Sequence, residues 1–157
     1  IGQTFDGVLA NFGVVNCVED RRALAAFLAG NVRRDGAVAL VVMGPLCPWE
    51  IGWHLLHFQP RRARRRIKKR TLAHVGGGQT LRVWYPTCRR LQNDFLPYFQ
   101  LTHMVGIGTL LPPSYLAHLV ERWPGLFARL ASVDRRLGGY FPLTWLNDHY
   151  LAIFRRL

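Results

Sequence analysis

Four groups of residues in this chain have the types and spacing to do chemistry. Asn11, Phe12 and Gly13 end the apolar run FDGVLA, where a strand gives way to a loop. Cys47, Pro48, Trp49, Glu50, Trp53, His54 and His57 crowd one short stretch. Its two histidines, three apart and beside Glu50, are of the types that serve as a general base or hold a metal. EIGWHLLH, however, matches no zinc-site spacing, so the histidines read as surface or core residues and no metal is expected. Pro112, Pro113, Ser114 and Tyr115 follow a long apolar segment. They form either the rim of a site or the end of a proline-terminated strand followed by a serine helix cap. The last group is RRARRRIKKR, with eight cations in the ten residues 61–70. Such a run reads as no core element and must be solvated or bound to something acidic.

The first two groups need a sheet to bring them together. Phe5, Val8, Leu9 and Ala10 read as a strand of a parallel sheet covered on both faces, because the run is apolar without strict alternation. Glu19 and Asp20 then open a helix with acid in its first turn, and Arg33, Arg34, Asp35 and Gly36 close it. Ala37–Met43, AVALVVM, is a second buried strand, completing a βαβ unit. With a right-handed crossover, Asn11–Gly13 and Gly44–Pro48 open onto the same sheet edge, where open α/β sheets bind ligands. A helix over residues 49–58 would begin at that edge, although Gly52 weakens it.

Farther along, Thr71–Val75 and Thr80–Tyr85 read as a hairpin turning through Gly76, Gly77 and Gly78. Cys88–Phe95 is a helix, Tyr98–Leu111 a strand, Tyr115–Arg122 and Gly125–Leu137 helices, and His149–Phe154 a terminal strand closed by Arg155 and Arg156.

Composition bounds these readings. The 157 residues are half hydrophobic and carry a net charge of +12, enough for one domain with a real core. Cys17, Cys47 and Cys88 form an odd set without CxxC spacing, so neither a disulfide framework nor a zinc ribbon is indicated, and a reducing, cytoplasmic setting fits. There is no apolar run of about 18 residues and no signal-peptide pattern. The chain enters its first strand almost at once and lacks an initiator Met, which suggests a fragment.

Four motifs, FDGVLANFGVVNCV, DGAVALVVMGPLCPWEIGW, GIGTLLPPSYL and DHYLAIFRR, give the chain a resemblance to the C-terminal half of a class I S-adenosylmethionine-dependent methyltransferase. The resemblance implies an α/β, Rossmann-like sheet holding the family's strands four to seven. The last strand would be antiparallel and inserted between the fifth and sixth, and residues 58–86 would be a basic connection with a small hairpin insertion. It also implies S-adenosylmethionine as cofactor, with Asn11, Phe12 and Gly13 bordering the methionyl group and the transferring methyl. Trp49, Glu50, Trp53 and His54, with Ser114 and Tyr115 as a second rim, would contact the acceptor. The family's glycine loop and ribose-binding acid have no counterpart here, so the fragment is expected to be incompetent alone. No catalytic residue is assigned, since methyl transfer from a sulfonium needs mainly alignment and exclusion of water.

Three functions follow from these readings: methyl transfer to a small-molecule acceptor, a nucleic-acid or anionic-surface binding module, and a non-catalytic interaction remnant. The second rests on the basic run, which carries only Ile67 and no interleaved aromatic for base stacking. It is also weakened because Asn11 lacks the two prolines and aromatic expected of an enzyme that methylates nucleic-acid amino groups. Small-molecule methyl transfer leads.

Overall fold

A computed structural model describes residues 4–68, 70–74 and 77–157. Its centre is a four-stranded sheet in the order β1-β2-β6-β5, built from β1 (Phe5–Ala10), β2 (Val32–Met43), β5 (Phe99–Ile107) and β6 (His149–Arg156). β1 and β2 are parallel, and β6 runs antiparallel between β2 and β5. A separate antiparallel hairpin joins β3 (Thr71–His74) to β4 (Thr80–Val83). Its turn carries Gly77 and Gly78 at φ 55° and 72°; Val75, expected to end the first strand, and Gly76, expected in the turn, lie outside the described residues.

The helices are α1 (Arg21–Asn31), α2 (Pro48–Leu56), α3 (Pro60–Ala63), α4 (Cys88–Phe95), α5 (Ala117–Arg122) and α6 (Pro124–Leu137). α1 and α4 cover one sheet face. Ala25 and Leu28 of α1 and Leu91 and Phe95 of α4 join the alternating residues Val38, Leu40 and Val42 of β2 and Tyr150, Ala152 and Phe154 of β6 in one buried cluster. Phe95 stacks on Phe154 with ring centroids 4.8 Å apart, and each such burial contributes about 2 kcal/mol. The residues that alternate with these, Ala39, Val41, Met43, Leu151 and Ile153, are only half-buried on the other face.

Local chemistry explains where the elements depart from expectation. Among the described residues β1 pairs with β2 alone, and Phe5 and Leu9 are 49% and 69% exposed. Asp20 lies outside α1 as its cap, its carboxylate accepting the N–H groups of Arg22 and Ala23. Arg33–Gly36 do not close α1. β2 begins at Val32, and these residues bulge from it between the pairs Phe5–Val32 and Gly7–Ala37, with Asp35 at φ 63°. Arg33 pairs with Asp6 and Asp35 with Arg155, which holds the bulge to its neighbours. β5 stops at Ile107 and β6 continues to Arg156. No helix among the described residues is long and apolar enough to cross a membrane.

Candidate functional site

The carboxyl ends of β1 and β2 lie side by side, as parallel pairing requires. At the end of β1, Phe12 and Gly13 turn the chain at φ 54° and 71°. The Asn11 side-chain oxygen accepts the Phe12 N–H at 2.8 Å, and the Phe12 ring is 87% exposed. Glycine at 13 is favoured by its φ, and a Cβ there would crowd Asn16 Oδ1 and Met43 Cε at 3.1 Å. Thus Asn11 and Phe12 face outward and Gly13 faces in.

Asn16, which no reading of the sequence singled out, fastens this edge. It is fully buried, and its Nδ2 donates to the carbonyls of Met43 and Trp84 at 3.1 and 2.6 Å. Its Oδ1 accepts the Met43 N–H at 2.9 Å, and its own carbonyl accepts the Trp84 N–H at 2.8 Å. One amide therefore ties the end of β2 to the segment after the hairpin.

Beyond β2, the basic run meets its acids. Arg66 is 6% exposed and Glu50 1%. Arg66 Nε donates to Glu50 Oε2 at 3.0 Å, its Nη2 to Asp148 Oδ1 at 2.6 Å and its Nη1 to the Asp148 carbonyl at 2.9 Å. Arg65 holds Glu50 bidentately at 2.6 and 2.9 Å. The reading that no part of this run enters the core is corrected: two of its guanidiniums turn inward because α2 presents the buried Glu50 carboxylate and the residue before β6 the half-buried Asp148 carboxylate. Arg61, Arg62, Arg64, Lys68 and Arg70 remain exposed.

Burial alone would raise Glu50, but the hydrogen bonds and charges of Arg65 and Arg66 outweigh it and hold the carboxyl below its ordinary value. Burial likewise works to raise Asp148, and His149 and Arg66 together bring it below. Burial pushes the Cys47 thiol up to about 11, so it is a neutral neighbour of this network. Tyr115 is pushed to about 12 by burial and next by the charge of Glu50. It remains a proton donor at neutral pH.

Trp49 and Trp53 line an apolar groove of about 430 Å³ with Gly52, Leu56, Leu110 and Leu130. Trp49 lies 5.9 Å from the Phe127 ring and Trp53 edge-on to His118 at 6.0 Å. His54 is 8% exposed, with Nδ1 3.2 Å from Gln59 Oε1, whereas His57 Nδ1 sits 2.8 Å from the Trp53 carbonyl. The two histidines thus serve different partners. Among the described residues no three His, Cys, Asp or Glu side chains gather as metal ligands.

Ser114 and Tyr115 belong to a 3₁₀ turn, Ser114–Leu116, that opens on Pro113 without a side-chain cap, so Ser114 is not the cap its position suggests. A different anchor shapes this rim. Asp134 of α6 is buried and accepts the N–H groups of Gly108 and Leu110 at 3.0 and 2.8 Å, fixing the loop that leaves β5.

Compared by sequence, the chain matches no protein-family model and no curated protein. Compared by structure, it is similar to an S-adenosylmethionine-dependent methyltransferase from Mesorhizobium loti, with a TM-score of 0.51 at 12% identity. The match covers 98% of this chain and 62% of that protein. The chain has a methyltransferase-like fold.

Proposed function

We propose that this chain supplies the family's strands four to seven to an S-adenosylmethionine-dependent methyltransferase that acts on a small-molecule acceptor. The sheet order supports this reading most directly: a last strand, β6, running antiparallel between β2 and β5. On this reading, Asn11, Phe12 and Gly13 hold the methionyl end of the cofactor. The residues fit that end. Asn11 uses its oxygen on Phe12 and keeps its amide N–H groups to donate to a carboxylate, and the exposed Phe12 ring offers an apolar wall. Asn11, Phe12 and Gly13 account for the methionyl end of the cofactor alone, and among the described residues none is assigned to the ribose hydroxyls.

When bound, the cofactor supplies a methyl group on a sulfonium; the chain's residues need only orient the acceptor and exclude water. Trp49 and Trp53 wall the acceptor in the apolar groove, and Ser114 and Tyr115, outside that lining, stand as a second rim on the acceptor side. Glu50, ionised between two arginines, contributes field and position and takes no proton; His54 supports the same helix from within. The inward turn of Arg65 and Arg66 breaks the basic run as a continuous stripe, which disfavours a nucleic-acid module.

Titration calorimetry of S-adenosylmethionine and S-adenosylhomocysteine into this chain, and into the longest natural protein containing it, tests the proposal. Binding by either form is expected, with Asn11→Ala weakening it by about 1–2 kcal/mol. Unchanged affinity in that variant removes Asn11 from the site; no binding in either form removes the methyltransferase reading.

A further inference from the structure

We propose that a second cavity, between the hairpin and the amino ends of α1 and α4, binds a small oxyanion carried on an aromatic ring. The cavity measures about 710 Å³ and is lined by Arg21, Arg66, Lys68, Arg90, Trp84 and Tyr85. That is the size of a small-molecule site. Glu19 is the one carboxylate in its wall. Behind the wall, Asp94 is 4% exposed and is shared by three guanidiniums, Arg21 at 2.8 Å, Arg90 at 3.2 Å and Arg22 at 3.9 Å. One buried carboxylate cannot balance three cations, so the mouth keeps an excess of positive charge, and a concave wall concentrates it.

The cations differ in what they have left to give. Arg66 is committed to Glu50 and Asp148 and serves as wall. Arg90, whose side chain is 66% exposed, meets Asp94 through Nε, which leaves its Nη groups to donate. Lys68 is exposed and pairs with no carboxylate among the described residues. These two are the donors at the rim. The aromatic walls have contacts of their own. The Trp84 backbone is clamped on both sides by buried Asn16, and the Arg66 guanidinium lies over the Tyr85 ring at 5.5 Å. Aromatic walls beside free cations suit a ligand with a planar apolar body and one anionic end. This binding does not depend on methyl transfer, and the two readings fail separately.

Titration calorimetry at pH 7.5 with phenyl phosphate, benzoate, phenol and inorganic phosphate tests the proposal. At least one ring-borne anion should bind about tenfold more tightly than both phenol and inorganic phosphate, and the choice between phenyl phosphate and benzoate identifies the oxyanion. Affinity should fall as salt rises. Lys68→Ala and Arg90→Ala, both at exposed positions, should each weaken it about three- to tenfold. Trp84→Leu should weaken it similarly, and Arg82→Ala, on the hairpin but outside the cavity wall, should leave it unchanged. Equal binding of all four probes, or affinity within twofold of the parent in both cation variants, overturns the proposal.

Discussion

Arg66→Met gives the sharpest test of how this chain is held together. The guanidinium makes three short contacts, 3.0 Å to Glu50, 2.6 Å to the Asp148 carboxylate and 2.9 Å to the Asp148 carbonyl. Methionine fills much of the volume, so the change isolates the charge. Removing one partner of a buried ion pair costs about 3–5 kcal/mol, because the partner left behind remains desolvated. Here Glu50 keeps Arg65 and Asp148 keeps His149, which places the expected loss near the lower limit, about 3 kcal/mol. Arg65→Met should cost less, about 1–2 kcal/mol, since the Arg65 side chain is 41% exposed and Arg66 still neutralises Glu50. The assay is urea denaturation followed by tryptophan fluorescence, repeated from pH 7 to pH 4. The penalty of Arg66→Met should shrink as pH falls, because protonation neutralises the orphaned carboxylates in the variant while it removes the ion pairs from the parent. A loss below about 1 kcal/mol at pH 7, or one that is flat with pH, would refute the assignment of Arg66 as the buried counter-ion.

Three further outcomes are expected. Asn16→Ala should destabilise the chain by about 3 kcal/mol, roughly one for each of the three side-chain hydrogen bonds lost; a change under about 1 kcal/mol in the same denaturation assay would show that the β2 edge holds without it. Gly106→Ala places a Cβ 2.4 Å from the Leu143 carbonyl oxygen, and thermal unfolding should register a loss of about 1–3 kcal/mol from overpacking, whereas Gly30→Ala, with open space around it, should not destabilise α1. Glu50 and Asp148 are held below their ordinary values of 4.5 and 3.8. Their contribution is therefore complete above those values and is lost as pH falls through the lower folded ones; stability curves for Glu50→Gln should lose part of this acid dependence, and an unchanged curve would reassign it.

Periodicity and turn chemistry carried most of the fold. The apolar run Ala37–Met43 lies within β2, the helix expected over Cys88–Phe95 has those bounds, and the glycines at 77 and 78 turn the hairpin. What local pattern could not carry was sheet position and long-range pairing. FDGVLA has the composition of an inner strand, but whether a strand has one neighbour or two is decided outside it, and among the described residues β1 has β2 alone. The bulge at Arg33–Gly36 looks like a helix stop because cations followed by glycine suit both roles; Asp6 and Arg155, which hold it in the sheet, are remote in sequence.

The basic run shows the same limit and bears on function. Read locally, eight cations in ten residues describe a solvated face. Arg66 meets Glu50 16 residues earlier and Asp148 82 residues later, and neither spacing is visible as a motif. The consequence is that one guanidinium joins α2, which carries Trp49 and Trp53, to Asp148 just before β6 and to the wall of the cationic cavity. The groove and the cavity therefore share a buried charge. A substitution at Arg66 should disturb both together, whereas Trp53→Ala should disturb the groove alone and Lys68→Ala the cavity alone. Losing only one site on Arg66→Met would mean that the network braces a single wall.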